Sequence, residues 1–481
     1  MIDSAATLAR RLERYRAALP SVVPPAAIDA RDDGRAVMDL ATRLAAAVDG
    51  EVVTSAEGRI VRCEAPSRML PVDRDSLATL PGQPPPETPL VCLDTETTGL
   101  ATAAGTVAFL VGLGWWESDR FRQVQLLLPD HGEERALLTA LERAIPPSAW
   151  LVTYNGRAFD WPLLVARYRL ARRSAPPHAG HLDLLPIVRR LFRHRMPDAR
   201  LRTAEAELLG MHRVGDVDGW EIPGRYLRFL RGGPAADLAE VARHNDQDVR
   251  SLAWLLAHLA DGYGDASDRS AAPPGDLAGL ARSFAREHRL HEALDCLDAA
   301  ADRPIEPAVR PVRPVRPVLP SVAEGNAADD VPWWSPRRPA DFGGRGGPLS
   351  IGSIVPRGAA LAAPWTPERI AVDRAHLLRR LGRYAEAGEA WAALGAGPGR
   401  MAIVASVELA KLQEHRLRDR AAALATALRG LDMIERRRRT GRPEPALEAD
   451  LRRRVTRLRP GPRMEDKVPL VVRGSTGRPI G

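Results

Sequence analysis

The chain of 481 residues has only three cysteines, Cys63, Cys92 and Cys296, widely spaced and without a CxxC pair. That excludes a disulfide framework and a cysteine-ligated zinc site, and it fits a reducing compartment. No uninterrupted apolar run reaches the roughly 18–20 residues that cross a membrane, so no membrane partner is expected. The opening MIDSAATLARRLERYRAAL lacks the apolar core of a secretion signal and reads as an amphipathic helix. A cytoplasmic location is the expectation. Lysine is nearly missing too: Lys411 and Lys467 are the two present. The formal charge of +8, from 69 Lys+Arg against 61 Asp+Glu, is therefore an arginine excess, and the abundant alanine beside it points to a GC-rich coding bias. Eleven arginines and four acids between Glu435 and Arg463 carry a net +7, so the rest of the chain is close to neutral. Such a run is a solvated charged segment or an electrostatic footprint for phosphates.

What is present is ordinary for a globular protein: 45% hydrophobic and 27% charged residues. The length accommodates two to four domains of about 100–200 residues each. Forty-two prolines and 39 glycines exceed what packed domains need, so part of the chain reads as linker. Residues 1–86 read as an extension with a second helix over Gly34–Val48 and two short alternating runs around Glu51–Val61. Pro81–Pro86 and Pro89 set that extension apart. Strand patterns follow at Leu90–Leu93, Thr106–Trp116, Phe121–Leu128 and Trp150–Tyr154, with Gly112, Gly114, Ser118 and Asp119 as breakers. Helical spacing covers Glu133–Ile145 and Trp161–Leu170, and Leu182–Leu259 is almost entirely helical. Residues 87–262 are thus predicted to form a mixed sheet flanked by helices, an α/β domain.

The rest of the chain has an all-α pattern: a helix pair over 273–302, helices over 366–436, and a basic, largely disordered tail over 437–481. Between the helices, residues 303–365 carry PAVRPVRPVRPVLP and then DFGGRGGPLSIG. They are predicted to be an extended and flexible insertion, too poor in apolar residues to offset the entropy of ordering. Leu280–Ala300, Ala375–Leu394 and Val407–Leu428 read as versions of one helix–turn–helix unit. Ala387 recurs as Ala421 at the 34-residue period of tetratricopeptide repeats, and Leu378, Gly382 and Tyr384 fit the alternation of small and large residues. A generic helical hairpin is the alternative. Repeats of this type would give a docking surface for a protein partner. A chain ended after Asp261 is expected to keep its chemistry.

Three motifs carry that chemistry. Asp94 and Glu96 stand two apart at the end of an apolar strand, so their carboxylates share one face, followed by the turn Thr97-Thr98-Gly99. Asn155-Gly156-Arg157-Ala158-Phe159-Asp160 opens a helix, where Asp160 taken alone would be an N-cap ahead of Pro162. His244 and Asp248 are spaced i, i+4 and emerge on one helix face, while Asp246 between them reads as a solvated surface acid. Each motif alone is weak.

In this order, DxE, NxxxFD and HNxxDV resemble the DEDD 3′–5′ exonucleases, and most nearly the bacterial YprB-type proteins with a ribonuclease H-like fold. GTVAFLVGLGWW, HLDLLPIVRRLFR and GWEIPGRYLRFLRGG, the last two containing Asp183 and Glu221, extend the match across roughly Leu90 to Leu259. The resemblance implies a ribonuclease H-like domain ahead of tetratricopeptide-like helices. It also implies two Mg²⁺ or Mn²⁺ ions and hydrolysis of a nucleic-acid phosphodiester, most readily from a single-stranded or 3′ end. Asp94 would bridge both ions, Glu96 and Asp248 would complete the site that activates water, and Asp160 would hold the second ion. His244 would orient or deprotonate that water, and Thr97, Asn155 and Phe159 would shape the substrate pocket. The pattern departs from the better-known subclasses at His244, which stands at the position of their tyrosine, four residues before the last Asp. The rival expectation is a catalytically silent nucleic-acid-binding or scaffold protein.

Overall fold

The computed structural model describes residues 39–99, 105–269, 271–303 and 365–459. The amphipathic N-terminal helix, nearly all of the 303–365 insertion and the last part of the basic tail lie outside the described residues.

Seven strands form one sheet: β1 (Glu51–Ser55), β2 (Gly58–Met69), β3 (Leu90–Thr97), β4 (Ala108–Glu117), β5 (Arg120–Leu127), β6 (Trp150–Thr153) and β7 (Gly180–Asp183). Their order is β1-β2-β5-β4-β3-β6-β7. The first five pair antiparallel, and β6 and β7 add in parallel beside β3. Leu90 to Leu93 are all buried because helices cover both faces of the sheet at that point. This is the mixed sheet flanked by helices that the sequence predicts, in a ribonuclease H-like arrangement, with many further helices in the C-terminal region.

Two details correct the sequence reading. The runs around Glu51–Val61 belong to the sheet: β2 pairs with β5 from Val61↔Leu127 to Met69↔Arg120, so the proline clusters do not set them apart. Gly112 and Gly114 are not breakers but lie inside β4. A Cβ on Gly112 would stand 2.2 Å from Asn245 Oδ1, and one on Gly114 would stand 2.9 Å from Val249 Cγ1. The glycines let the 24-residue helix Ala236–Leu259 lie close on the strands. Two strand glutamines fix it there, Gln123 donating to the Asp246 carbonyl (2.9 Å) and Gln125 to the Ala242 carbonyl (2.7 Å). Gly112→Ala is accordingly expected to lower stability by about 1–3 kcal/mol through overpacking. A denaturant midpoint equal to that of wild type would show that the helix has room to move.

One core lies between the sheet and the helices Leu40–Val48, Glu134–Ala144, Asp160–Leu170 and Ile222–Leu230. The core on the opposite face does not stop at the sheet. Cys92, Val152, Leu184 and Val188 join the second half of the long helix, then Leu277, Leu280 and Phe284, and finally Leu378 and Trp391. The helix pair Pro274–Arg286 and Leu290–Ala301 is therefore built into the α/β domain. Buried Asp276 seals the joint, accepting from Arg195 through both oxygens (3.0 Å each) and from the Tyr263 hydroxyl (2.6 Å).

Helices Pro367–Arg380, Tyr384–Ala396, Gly399–His415 and Arg420–Arg439 continue the array. Ala387 is buried, but Ala421, which stands 34 residues later, is exposed, and the buried alanine of that helix is Ala423. The tail expectation also needs correction. Residues Pro445–Leu458 form a helix whose Leu451 and Val455 pack on Ile403, Val407 and Ile434. Its arginines are not a uniformly solvated run: Arg454, 5% exposed, pairs with Glu414, as does Arg457 (2.6 Å), and Arg438 pairs with Glu448. Among the described residues no helix is long and apolar enough to cross a membrane.

Candidate active site

Asp94 and Glu96 project from the end of β3. Asn245, fully buried in the long helix, donates from Nδ2 to Asp94 Oδ2 (2.9 Å). Gln125 on β5 in turn donates to Asn245 Oδ1 (2.8 Å), so a chain of amides running from sheet to helix holds the Asp94 carboxylate. Asp160 is the first residue of its helix, and Phe159 occupies the cap position. The capping role open to Asp160 is therefore not what its side chain performs; its Oδ1 accepts from Thr95 Oγ1 on β3 (2.5 Å). His244 and Asp248 lie one turn apart on the long helix. Glu96, His244 and Asp248 each offer a ligand atom, and the three atoms lie within 4.8 Å of one another. His244 Nε2 is 3.8 Å from Glu96 Oε1 and 3.6 Å from Asp248 Oδ2.

The carboxyl groups resist ionisation together. Burial, reinforced by the charges of Asp248, Asp160 and Glu96, pushes Asp94 well above the usual carboxylate range, against the opposing bond from Asn245. Burial carries Glu96 up to about 8; His244 moderates the rise, while Asp248 and Asp160 add to it. Asp160 is also raised by burial, with Thr95 opposing. Repulsion of this kind requires proximity: Glu96 and Asp248 lie together beside His244, with Asp94 and Asp160 near enough to be felt. Burial pulls the His244 imidazole down, but the Asp216 hydrogen bond and the Asp248 and Glu96 carboxylates outweigh it and hold it at about 9. Burial would raise Asp216, yet His244 and Arg213 bring it down to about 2. An all-carboxylate donor set with one imidazole at its rim suits a hard divalent cation, which would relieve the repulsion.

The residues assigned to substrate flank this centre. Thr97 Oγ1 donates to the Gly99 carbonyl (2.7 Å), shaping the turn after β3. Asn155 sits at φ 72°, a left-handed position that asparagine tolerates. Its backbone N–H donates to Asp183 Oδ1 (2.7 Å), and that of Arg157 donates to Oδ2 (3.3 Å). Asp183 also caps the helix Leu184–Leu191, so it anchors the turn that presents Phe159 and Asp160. Phe159 is 51% exposed beside Asp160 and is not a core residue. Asp246 differs from its expectation: it points away from the centre, but it is partly buried and paired with Arg250 rather than solvated. Glu221 pairs with Arg225 (3.1 Å).

Three residues of the centre carried no signal in the sequence. Asp216 Oδ1 accepts from His244 Nδ1 (2.6 Å), Arg213 pairs with both Asp216 and Asp248, and Glu205 holds Arg213. Asn245 lay within the HNxxDV motif, and its place in mid-helix could have marked it.

Fold and centre together define a ribonuclease H-like domain with a clustered acidic site, and residues 91–260 match the family model RNase_H_2 of the RNase_H superfamily. Over 173 residues the chain is 41% identical to the uncharacterized protein YprB of Bacillus subtilis (strain 168), a stretch covering 36% of this chain and 42% of that one. The alignment thus spans less than half of either protein.

Proposed function

We propose that the protein is a divalent-metal-dependent nuclease, a 3′–5′ exonuclease of the DEDD type that uses two Mg²⁺ or Mn²⁺ ions. The nearness of Asp94, Glu96, Asp160 and Asp248 to His244, from one strand's end and two helices, carries the reading. Bound in such a centre, paired divalent ions supply a water activated for in-line attack and a clamp on the leaving oxygen. Asp94, held by Asn245, would be the ligand shared by the ions. Glu96 and Asp248 lie on the His244 side and would hold one ion, and Asp160, on the Thr95 side, would hold the other. His244, whose Nδ1 donates to Asp216, would use Nε2 to orient the attacking water. The half-exposed ring of Phe159 offers a stacking surface for the terminal base, with Asn155 and Thr97 shaping the adjoining turns. The helical hairpins, read as degenerate tetratricopeptide-like units, would dock a protein partner, and a cytoplasmic location is in keeping with this role.

The test is cleavage of end-labelled single- and double-stranded DNA and RNA with Mg²⁺ or Mn²⁺. Wild type should shorten a substrate stepwise from its 3′ end, while EDTA-treated protein and Asp160→Asn leave it intact. A ladder indifferent to EDTA would sink the metal mechanism. Internal cuts would replace the exonuclease reading with an endonuclease.

A further inference from the structure

We propose that Arg213 is a positioning residue of this centre: it fixes Asp248 directly and His244 through Asp216, so that both face Glu96. The inference rests on the nuclease reading for its meaning, but its geometry stands apart from it. The guanidinium donates from Nε to Glu205 Oε2 (2.6 Å) and from Nη2 to Glu205 Oε1 (2.5 Å). Nη2 also donates to Asp248 Oδ1, and Nη1 donates to Asp216 Oδ2 (3.3 Å). One planar cation, 8% exposed, thereby organises three carboxylates.

A purely structural ion pair would be complete with Glu205, which already takes two parallel bonds. The additional bonds reach the two acids attached to the centre. With Oδ1 of Asp248 held by Arg213, Oδ2 is the oxygen turned towards His244 Nε2. With Oδ2 of Asp216 held by the same guanidinium, Oδ1 accepts a hydrogen bond from His244 Nδ1, which fixes the ring's orientation and aims Nε2 at Glu96 and Asp248. Lysine carries the charge but not the fork, so it cannot hold all three acids in one plane.

Glu205 is itself anchored. It is fully buried, accepts from Ser251 Oγ one turn beyond Asp248 on the long helix, and begins the π-helical turn Glu205–Leu209. Such turns are frequent at functional sites. The support for Arg213 is thus referenced to the helix that carries His244 and Asp248, and any shift of that helix moves the support with it.

The experiment compares wild type, Arg213→Lys and the double variant Arg213→Met/Glu205→Gln. The double variant removes both buried charges together, so that neither is left unpaired. Thermal melting establishes folding, calorimetric titration gives Mn²⁺ affinity, and oligonucleotide hydrolysis gives kcat and KM. In the double variant, Mn²⁺ affinity and kcat are expected to fall by about 10–100-fold, the usual effect of losing an outer-shell partner. KM should stay within about threefold, because positioning acts on the reacting centre rather than on uniform binding. Arg213→Lys should lie near the double variant, and it carries the test if the double variant does not fold.

A folded double variant with wild-type Mn²⁺ affinity and kcat, or wild-type behaviour of Arg213→Lys, overturns the proposal. So does tighter Mn²⁺ binding in the double variant, which would make Arg213 a mere competitor for Asp248. If wild type binds Mn²⁺ without cleaving nucleic acid, the nuclease reading fails alone and the affinities still decide the role of Arg213. Wild type that binds no Mn²⁺ overturns both.

Discussion

Asp94→Asn is expected to reduce turnover at least about a thousandfold, roughly 4 kcal/mol of transition-state stabilisation, and yet to raise the melting temperature of the metal-free protein at pH 8. The two effects share one cause. Asparagine keeps an oxygen for the Asn245 amide but removes a buried charge crowded by Asp248, Asp160 and Glu96. The same crowding sets a pH dependence. Glu96 is pushed up to about 8 and His244 is held at about 9, both above their unfolded values of about 4.3 and 6.5. A group whose affinity for a proton rises on folding stabilises the fold fully below its unfolded pKa and loses that contribution as pH climbs through its folded pKa. Metal-free wild type should therefore melt at progressively lower temperature from about pH 5 to pH 9, and Mg²⁺ or Mn²⁺ should flatten the decline. Melting curves at several pH values, with EDTA and with Mn²⁺, check this. A flat metal-free profile, or a less stable Asp94→Asn, would show that the carboxylates do not repel as described.

A chain ended after Asp261 should not fold to a stable ribonuclease H-like domain, contrary to the expectation from sequence. Leu277, Leu280, Phe284, Leu294 and Leu297 are fully buried in the core shared with Leu184, Val188 and Leu191. Removing such side chains forfeits about 1.5–3 kcal/mol each, so five of them rival the roughly 5–15 kcal/mol that holds a whole domain. The cut would also strip Asp276 from Arg195 and leave a buried guanidinium without its bidentate partner. A chain ended after residue 303 should keep these contacts. Circular dichroism and proteolysis of the two truncated proteins give the comparison, and a cooperative melt of the shorter one near the wild-type midpoint would refute the shared core.

The centre was legible where local periodicity carries it. Alternation on a strand put Asp94 beside Glu96, and helical spacing put His244 beside Asp248. Those rules are short-range, and these four residues obey them. Arg213 and Asp216 lie in an irregular segment after a π-turn, where neither period applies, and one arginine among dozens carries no mark. Likewise β2 finds its partner β5 some sixty residues on, a pairing that only the sheet reveals. Arg454 and Arg457 looked solvated because their acid, Glu414, comes from another helix.

The two glutamine bonds from β5 to the carbonyls of Ala242 and Asp246 have an evolutionary consequence. They pin the long helix like rungs, so the separation between Asp94 and Asp248 is dictated by regular backbone rather than by loops. The turn around Thr97 can then vary without moving Asp94 or Asp248, whereas the turn before Phe159, held by Asp183, sets Asp160. Relatives built on this frame would be free to vary the surrounding turns while inheriting the same spacing of Asp94 and Asp248.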